Sequence, residues 1–158
     1  MTYEEKIEQQ LYDNNIQVLR ENLNKFDALT IKTGQATGIF LNSNVDYDKD
    51  TQAYLLGHEM AHILTSSFYT FSNYTKRHRN AERKAMSKQV FDAGLNPDKI
   101  KKDLQEGMQV WEIADKYDLP EQLIYDAIDI FKCKYWDKEE LWDGWERINY
   151  WIESIRCS

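Results

Sequence analysis

The stretch YLLGHEMAHILT, residues 54–65, places two of the chain's three histidines four residues apart, with a glutamate directly after the first. Residues at positions i and i+4 share one face only when the backbone is an α-helix, so the spacing predicts that His58 and His62 project together from a helix. Asp48 and Asp50 precede the stretch and can cap such a helix at its N-terminus. We therefore expect a helix from these aspartates to just past the stretch.

This helix has the ligand spacing of a metal site. His58 and His62, one turn apart, can direct their imidazoles at one ion at about 2.0–2.1 Å. Glu59 is offset from His58 by about 100° around the helix, which places its carboxylate beside the ion, where it can act as a general base on water. Three apolar residues on the opposite face are expected to anchor the helix in the core: Leu56, Met60 and Ile63. The pattern predicts one Zn²⁺ ion, with Glu59 as the catalytic residue.

His58 and His62 do not complete such a site, because a catalytic zinc ion normally takes three protein ligands and leaves one position for water. The extended motif with a glycine and a third histidine does not apply, since Thr65 and Phe68 occupy those positions. This points to a glutamate-type site with its third ligand on a later helix. Two residues after the motif remain as candidates for that ligand, His78 and Glu82. His78 lies in a basic run that is typical of a solvated loop, so Glu82 is favoured and His78 stays open. Glu82 could also be an ordinary acid at a helix start.

The remaining sequence predicts a mostly helical α+β fold, with a small N-terminal β-sheet or hairpin packed on the motif helix. Near-helical spacing of apolar residues within 3–24 predicts one or two amphipathic turns of an opening helix. β-Branched and aromatic residues around two glycines predict hairpin strands near 28–33 and 37–42. The stretch SSFYTFSNYTKRHRN is expected to be a loop. Five further helices are expected, at about 80–93, 97–105, 109–117, 121–133 and 138–155.

The chain length of 158 residues, with 42% hydrophobic content, fits one domain with its own core. We expect a domain over residues 1–135, with a Trp-rich C-terminal helix at 136–158 packed on it. That helix has an apolar stripe consisting of Leu141, Trp145, Ile148, Ile152 and Ile155. Packing on the domain is the favoured interpretation, and a docking surface for a partner is the alternative, because tryptophan is frequent at interface hot spots.

The net charge of −7 argues against direct binding of nucleic acid, which requires clustered basic residues. The stretch VWEIADKYDLPEQLIYDAIDIF could form a helix-turn-helix, but its second helix contains Glu121, Asp126 and Asp129, which would repel phosphate. We therefore expect no nucleic-acid partner.

No targeting or membrane segment is apparent. The N-terminal MTYEEKIEQQLYDNN is polar where a signal peptide would be apolar, and no run of about 18 apolar residues occurs. Cys133 and Cys157 do not indicate a disulfide framework, although a single bridge stays open. The expected location is the cytoplasm, without a membrane partner.

The segments LLGHEMAHILT and AERKAMSKQVFDAGLNP together resemble the ImmA/IrrE family of zinc metallopeptidases, in which the motif helix is followed by a helix opening with Glu-x-x-Ala, here Glu82 and Ala85. The resemblance covers roughly residues 27–131. It implies that Glu82 is the third zinc ligand and Glu59 the catalytic glutamate. It further implies an origin in a phage, an integrative element or a bacterial host, and a role as an anti-repressor that cleaves a helix-turn-helix transcriptional repressor.

Two functions follow from the sequence. The first is a zinc endopeptidase that acts on a protein, with a repressor as the implied substrate. The alternative is a non-catalytic, metal-stapled binding module that sequesters a protein partner. Glu59 favours the peptidase, because a purely structural zinc site would close its fourth position with another Cys or His, and no cysteine lies near the motif.

Overall fold

The computed structural model describes residues 1–68 and 76–136, with side chains from residue 78 onward in the second range. Within these ranges most residues are helical and the strands form one small sheet, so the predicted mostly helical α+β class is confirmed. The elements in chain order are α1 (Tyr3–Asp13), β1 (Gln17–Glu21), β2 (Ala28–Thr33), β3 (Ala36–Asn42), α2 (Lys49–Leu64), α3 (Lys76–Asp92), α4 (Pro97–Gln105), α5 (Val110–Tyr117) and α6 (Glu121–Lys134). Two compact units form, one of residues 1–89 and one from residue 90 onward.

The opening helix α1 begins with a reciprocal cap, in which Thr2 accepts a hydrogen bond from the backbone of Glu5 and the Glu5 carboxylate accepts one from the backbone of Thr2. The predicted opening helix is confirmed, but helical structure does not continue through the apolar residues up to residue 24. Helix α1 ends at Asp13, and Asn15 adopts a positive φ of 53°, which a continuing helix cannot contain. The strand β1 that follows is exposed at all five residues, so no alternation of apolar and polar residues marked it.

The sheet has the strand order β1-β3-β2. Strands β2 and β3 form the predicted antiparallel hairpin, whose turn uses Gly34 at a φ of 54°. Strand β1 pairs with β3 in parallel, with Val18 opposite Ile39. The central strand provides the buried residues Ile39 and Leu41, and β2 packs on α2. The predicted small sheet on the motif helix is therefore confirmed.

Helix α2 is the predicted motif helix. Asp48 caps it by accepting a hydrogen bond from the backbone N–H of Thr51 at 2.7 Å, whereas Asp50 lies within the first turn. Of the predicted anchoring residues, Leu56 and Met60 are buried and Ile63 is partly buried.

Helix α3 ends at Asp92, two residues before Gly94, whose positive φ of 83° matches the predicted stop. Its start differs from the prediction. The helix already includes Lys76, so His78 is helical and the expected loop over the basic run is wrong there. Lysine and arginine have high helix propensities, so a basic run extends a helix as readily as it forms a solvated loop.

In the second unit, α4, α5 and α6 occur at the predicted positions. Asn96 caps α4 through its side chain, and Asp118, at a φ of 52°, separates α5 from α6. Trp136 is buried and its indole N–H donates to the carbonyl of Pro97 at 3.2 Å. The largest fully buried apolar side chains of this unit are Val90, Ile100, Ile113, Leu123, Ile124 and Phe131. The predicted helix at 138–155 lies outside the described residues.

Candidate metal centre

Three side chains from two helices of the first unit converge on one point. His58 and His62 project from α2 with their Nε2 atoms 3.2 Å apart. Glu82, from the second turn of α3, places Oε2 3.0 Å from the Nε2 of His58 and Oε1 3.2 Å from the Nε2 of His62. The structure thus brings together the two motif histidines and the favoured third residue.

These separations fit one shared metal ion. Donors that each lie about 2.0–2.1 Å from an ion in tetrahedral geometry are about 3.3 Å apart. The two imidazoles and the carboxylate come close to that spacing. The His58 and Glu82 side chains keep 17% and 28% of their surface exposed, so the cluster is only partly buried.

The backbone after α2 sets the protonation of His62. Its Nδ1 lies 2.9 Å from the carbonyl oxygen of Ser67, which can only accept a hydrogen bond. Nδ1 must therefore carry a proton, and in the neutral ring the lone pair is then on Nε2, facing Glu82. Such an orientation of a ligating histidine by a carbonyl is usual at metal sites. The tautomer of His62 fits a bound cation.

Glu82 has the charge that a cation requires. Burial raises its pKa, but hydrogen bonds with His58 and His62, together with their charges, outweigh burial and hold the pKa of Glu82 well below its ordinary value. The hydrogen bonds and charges that lower it are those of the protonated imidazoles. Glu82 is therefore a carboxylate at neutral pH.

Close packing of three helices holds the motif in place at Gly57. A Cβ atom at this position would lie 2.3 Å from the hydroxyl of Tyr3 in α1 and 2.9 Å from the amide nitrogen of Gln89 in α3. Gln89 is buried and donates to both the Tyr3 hydroxyl and the carbonyl of Tyr54 in α2, at 3.0 and 2.8 Å. Gly57 thus allows a close approach of α1 and α3 to α2 beside the first candidate ligand.

Glu59, the predicted catalytic residue, points to the sheet side of α2. Its Oε2 accepts a hydrogen bond of 2.5 Å from the hydroxyl of Thr30 in β2. Oε1 accepts no hydrogen bond from any described residue. Among the described residues, Glu59 is therefore held through one of its two carboxylate oxygens.

His78, the other candidate ligand, lies one turn before Glu82 on α3. Among the described residues, the only group of three potential ligands with atoms within 4.8 Å of one another consists of His58, His62 and Glu82. Sequence reasoning missed the supporting residues Thr30, Ser67 and Gln89. None of them stands at a motif spacing, so only a three-dimensional contact could have identified them.

Comparison of the chain with protein-family models, with curated proteins and with solved structures found no match. The likeness to the ImmA/IrrE family therefore rests on the motif segments alone. Within the described ranges, no helix has both the length and the apolar character needed to cross a bilayer. What the structure contributes is a possible binding group for one metal ion, formed by His58, His62 and Glu82.

Proposed function

We propose that the protein is a zinc-dependent endopeptidase. The observation that carries the proposal is the convergence of His58, His62 and Glu82 on one point, with Glu59 directly after His58 in the same helix. Two imidazoles and a carboxylate are the ligand set of catalytic zinc sites that cleave peptide bonds. The partial exposure of His58 and Glu82 is compatible with access of water to the cluster.

The protein's own groups would divide the work as follows. His58, His62 and Glu82 hold the ion, which when bound supplies Lewis acidity that activates water and polarises a peptide carbonyl. Glu59 accepts a proton from the attacking water on Oε1 and returns it to the leaving amine nitrogen. Thus one new carboxyl end and one new amino end form, with Glu59 unchanged at the end of the cycle.

The natural substrate proposed here is a helix-turn-helix transcriptional repressor in a bacterial cytoplasm, so that the protein acts as an anti-repressor. This part of the proposal is supported by the resemblance of the motif segments. The net charge of −7 agrees with a protein substrate rather than direct binding to DNA.

The test combines metal analysis with a hydrolysis assay on unstructured peptides of random sequence in ¹⁸O-labelled water. We expect one zinc per chain and new C-termini that contain ¹⁸O. Glu59→Gln removes the base but no ligand, so the variant should retain its zinc while hydrolysis falls by about 10²–10⁴-fold. Zinc is identified by anomalous scattering on both sides of its absorption edge.

Two results would contradict the peptidase. One is equal hydrolysis by the wild type and Glu59→Gln, which would assign the activity to a contaminant. The other is a zinc-loaded wild type that produces no labelled ends, which would favour the metal-stapled binding module. Capture of an intact protein partner by both the wild type and Glu59→Gln would then support that alternative.

A further inference from the structure

Thr30 and Glu59 are in contact although 29 residues separate them in the sequence. Thr30 lies in the middle of β2, opposite the fully buried Ile39 of β3. The β2–β3 ladder fixes the Thr30 backbone, and β2 packs on α2, the helix of Glu59. The position of the Thr30 hydroxyl is thus determined by the sheet and not by a mobile loop.

The hydrogen bond selects one of the two Glu59 oxygens. An ionised carboxylate can only accept, so the Thr30 hydroxyl is the donor and Oε2 the acceptor. A glutamate side chain has three rotatable torsions, and fixing its far end removes conformations in which Oε1 points away from the reacting water. Thr30 is the single hydrogen-bonding partner of the Glu59 side chain within the described part of the chain.

We propose that Thr30 is a positioning residue, which orients Glu59 so that Oε1 faces the reacting water. The inference rests on the proposed peptidase function and adds a residue to its machinery. Thr30 acts through Glu59 and holds neither the ion nor the peptide. Its loss should therefore reduce the rate of the chemical step and leave substrate binding and metal binding in place.

The chain offers matched variants for the test. Thr30→Val keeps the shape and the β-branching suited to a strand but removes the hydroxyl, and Thr30→Ser keeps the hydroxyl. Thr33→Val makes the same change at an exposed position on the same strand. Each protein is loaded with zinc and assayed on one fluorogenic peptide whose sequence the wild type cleaves. Metal content and thermal unfolding are measured in parallel.

We expect kcat of Thr30→Val to fall by about 10–100-fold, with KM within about twofold of the wild type. Thr30→Ser should recover most of kcat, and Thr33→Val should behave as the wild type. Zinc content and the unfolding temperature should be the same for all four proteins. Only a loss confined to kcat, and rescued by serine, separates positioning of Glu59 from a general role in stability.

A binding measurement tests the same contact without turnover. Acetohydroxamate chelates a metal ion and offers a proton that a neighbouring carboxylate can accept, and its binding to Co²⁺-loaded protein changes the absorption of the ion. Thr30→Val and Glu59→Gln should each weaken acetohydroxamate binding by about tenfold, the equivalent of one lost hydrogen bond. Thr30→Ser should not.

The outcomes distinguish this inference from the proposed function. If Glu59→Gln abolishes hydrolysis while Thr30→Val keeps the kcat of the wild type, Thr30 has no positioning role and the peptidase stands. If Thr30→Val loses zinc or unfolds at a lower temperature, or if serine fails to rescue kcat, the role is structural and the inference is wrong. If the wild type shows no hydrolysis, the peptidase fails, and the acetohydroxamate titration alone decides whether Thr30 aligns Glu59.

Discussion

Glu82 and Asp103 are both carboxylates held between helices, but their surroundings differ. Asp103, in the second unit, is buried and accepts hydrogen bonds from the ammonium group of Lys116 at 2.5 Å and the hydroxyl of Tyr117 at 2.7 Å. Glu82, in the first unit, is partly exposed and faces the ring nitrogens of two histidines. Asp103 is thus surrounded by hydrogen-bond donors, whereas Glu82 lies next to nitrogen atoms that can bind a metal.

The difference shows how a structural carboxylate is told from a ligand. Lysine and tyrosine bring their own protons to Asp103, so every requirement of that buried charge is met within the chain. His62 donates its Nδ1 proton to the carbonyl of Ser67, so in the neutral ring the Nε2 lone pair is directed at Glu82. A cation between Glu82 and the imidazoles would remove the repulsion between the carboxylate and the nitrogen lone pairs. Burial of a carboxylate between helices therefore does not by itself indicate a metal site. Lone pairs of several side chains that face one another do indicate one.

The largest expected effect tests the ligand role directly. Glu82→Ala should lower zinc affinity by more than about 100-fold, because removing a ligand costs more than removing a residue that merely orients one. His78→Ala, one turn earlier on α3, should keep one zinc per chain. Metal analysis after dialysis measures both. The opposite pattern, with zinc lost only from His78→Ala, would identify the histidine as the third ligand. It would contradict the ligand role assigned to Glu82.

The second prediction concerns Asp103. Asp103→Ala should lower the free energy of unfolding by about 2 kcal/mol, because the substitution deletes a buried acceptor with two hydrogen bonds. Zinc content should stay at that of the wild type. Urea unfolding measures the change, and Asp115→Ala, an exposed carboxylate on α5, serves as the control with an expected change within about 0.5 kcal/mol. Loss of zinc from Asp103→Ala would show that the carboxylate is not purely structural.

The smallest expected effect concerns Asp27, a third carboxylate, which lies at the surface. Asp27 accepts a 2.7 Å hydrogen bond from the hydroxyl of Tyr47, and burial, followed by this hydrogen bond, raises the pKa of Tyr47 to about 12. Between pH 10 and 12 the unfolded chain releases the tyrosine proton while the folded chain keeps it, so stability is full below pH 10 and declines as the pH rises.

Thermal unfolding of Tyr47→Phe, compared with the wild type across that range, isolates this contribution. The phenylalanine variant should lose less of its unfolding temperature between pH 10 and 12 than the wild type, because it has no hydroxyl proton to release. Parallel curves for the two proteins would mean that the Tyr47 hydrogen bond to Asp27 contributes nothing to stability at alkaline pH.

Sequence spacing identified the elements whose signals are local. The bounds of α2 followed from the Asp48 cap and helical periodicity, and the end of α3 followed from Gly94. The start of α3 was wrong because a basic run is compatible with both a loop and a helix. Strand β1 was missed because its five exposed residues have no pattern of their own, and only pairing with β3 makes them a strand.

Spacing in the sequence was enough to establish that His58 and His62 share one helical face, with Glu59 next to His58 in the chain. An α-helix fixes the relative direction of side chains one turn apart. The sequence also narrowed the third ligand to two residues. The tertiary structure alone decided that Glu82 meets the histidines, and that Thr30 meets Glu59. These contacts join residues that are 20 or more positions apart in the sequence. Whether such residues touch is set by how helices and strands pack, which no local spacing encodes.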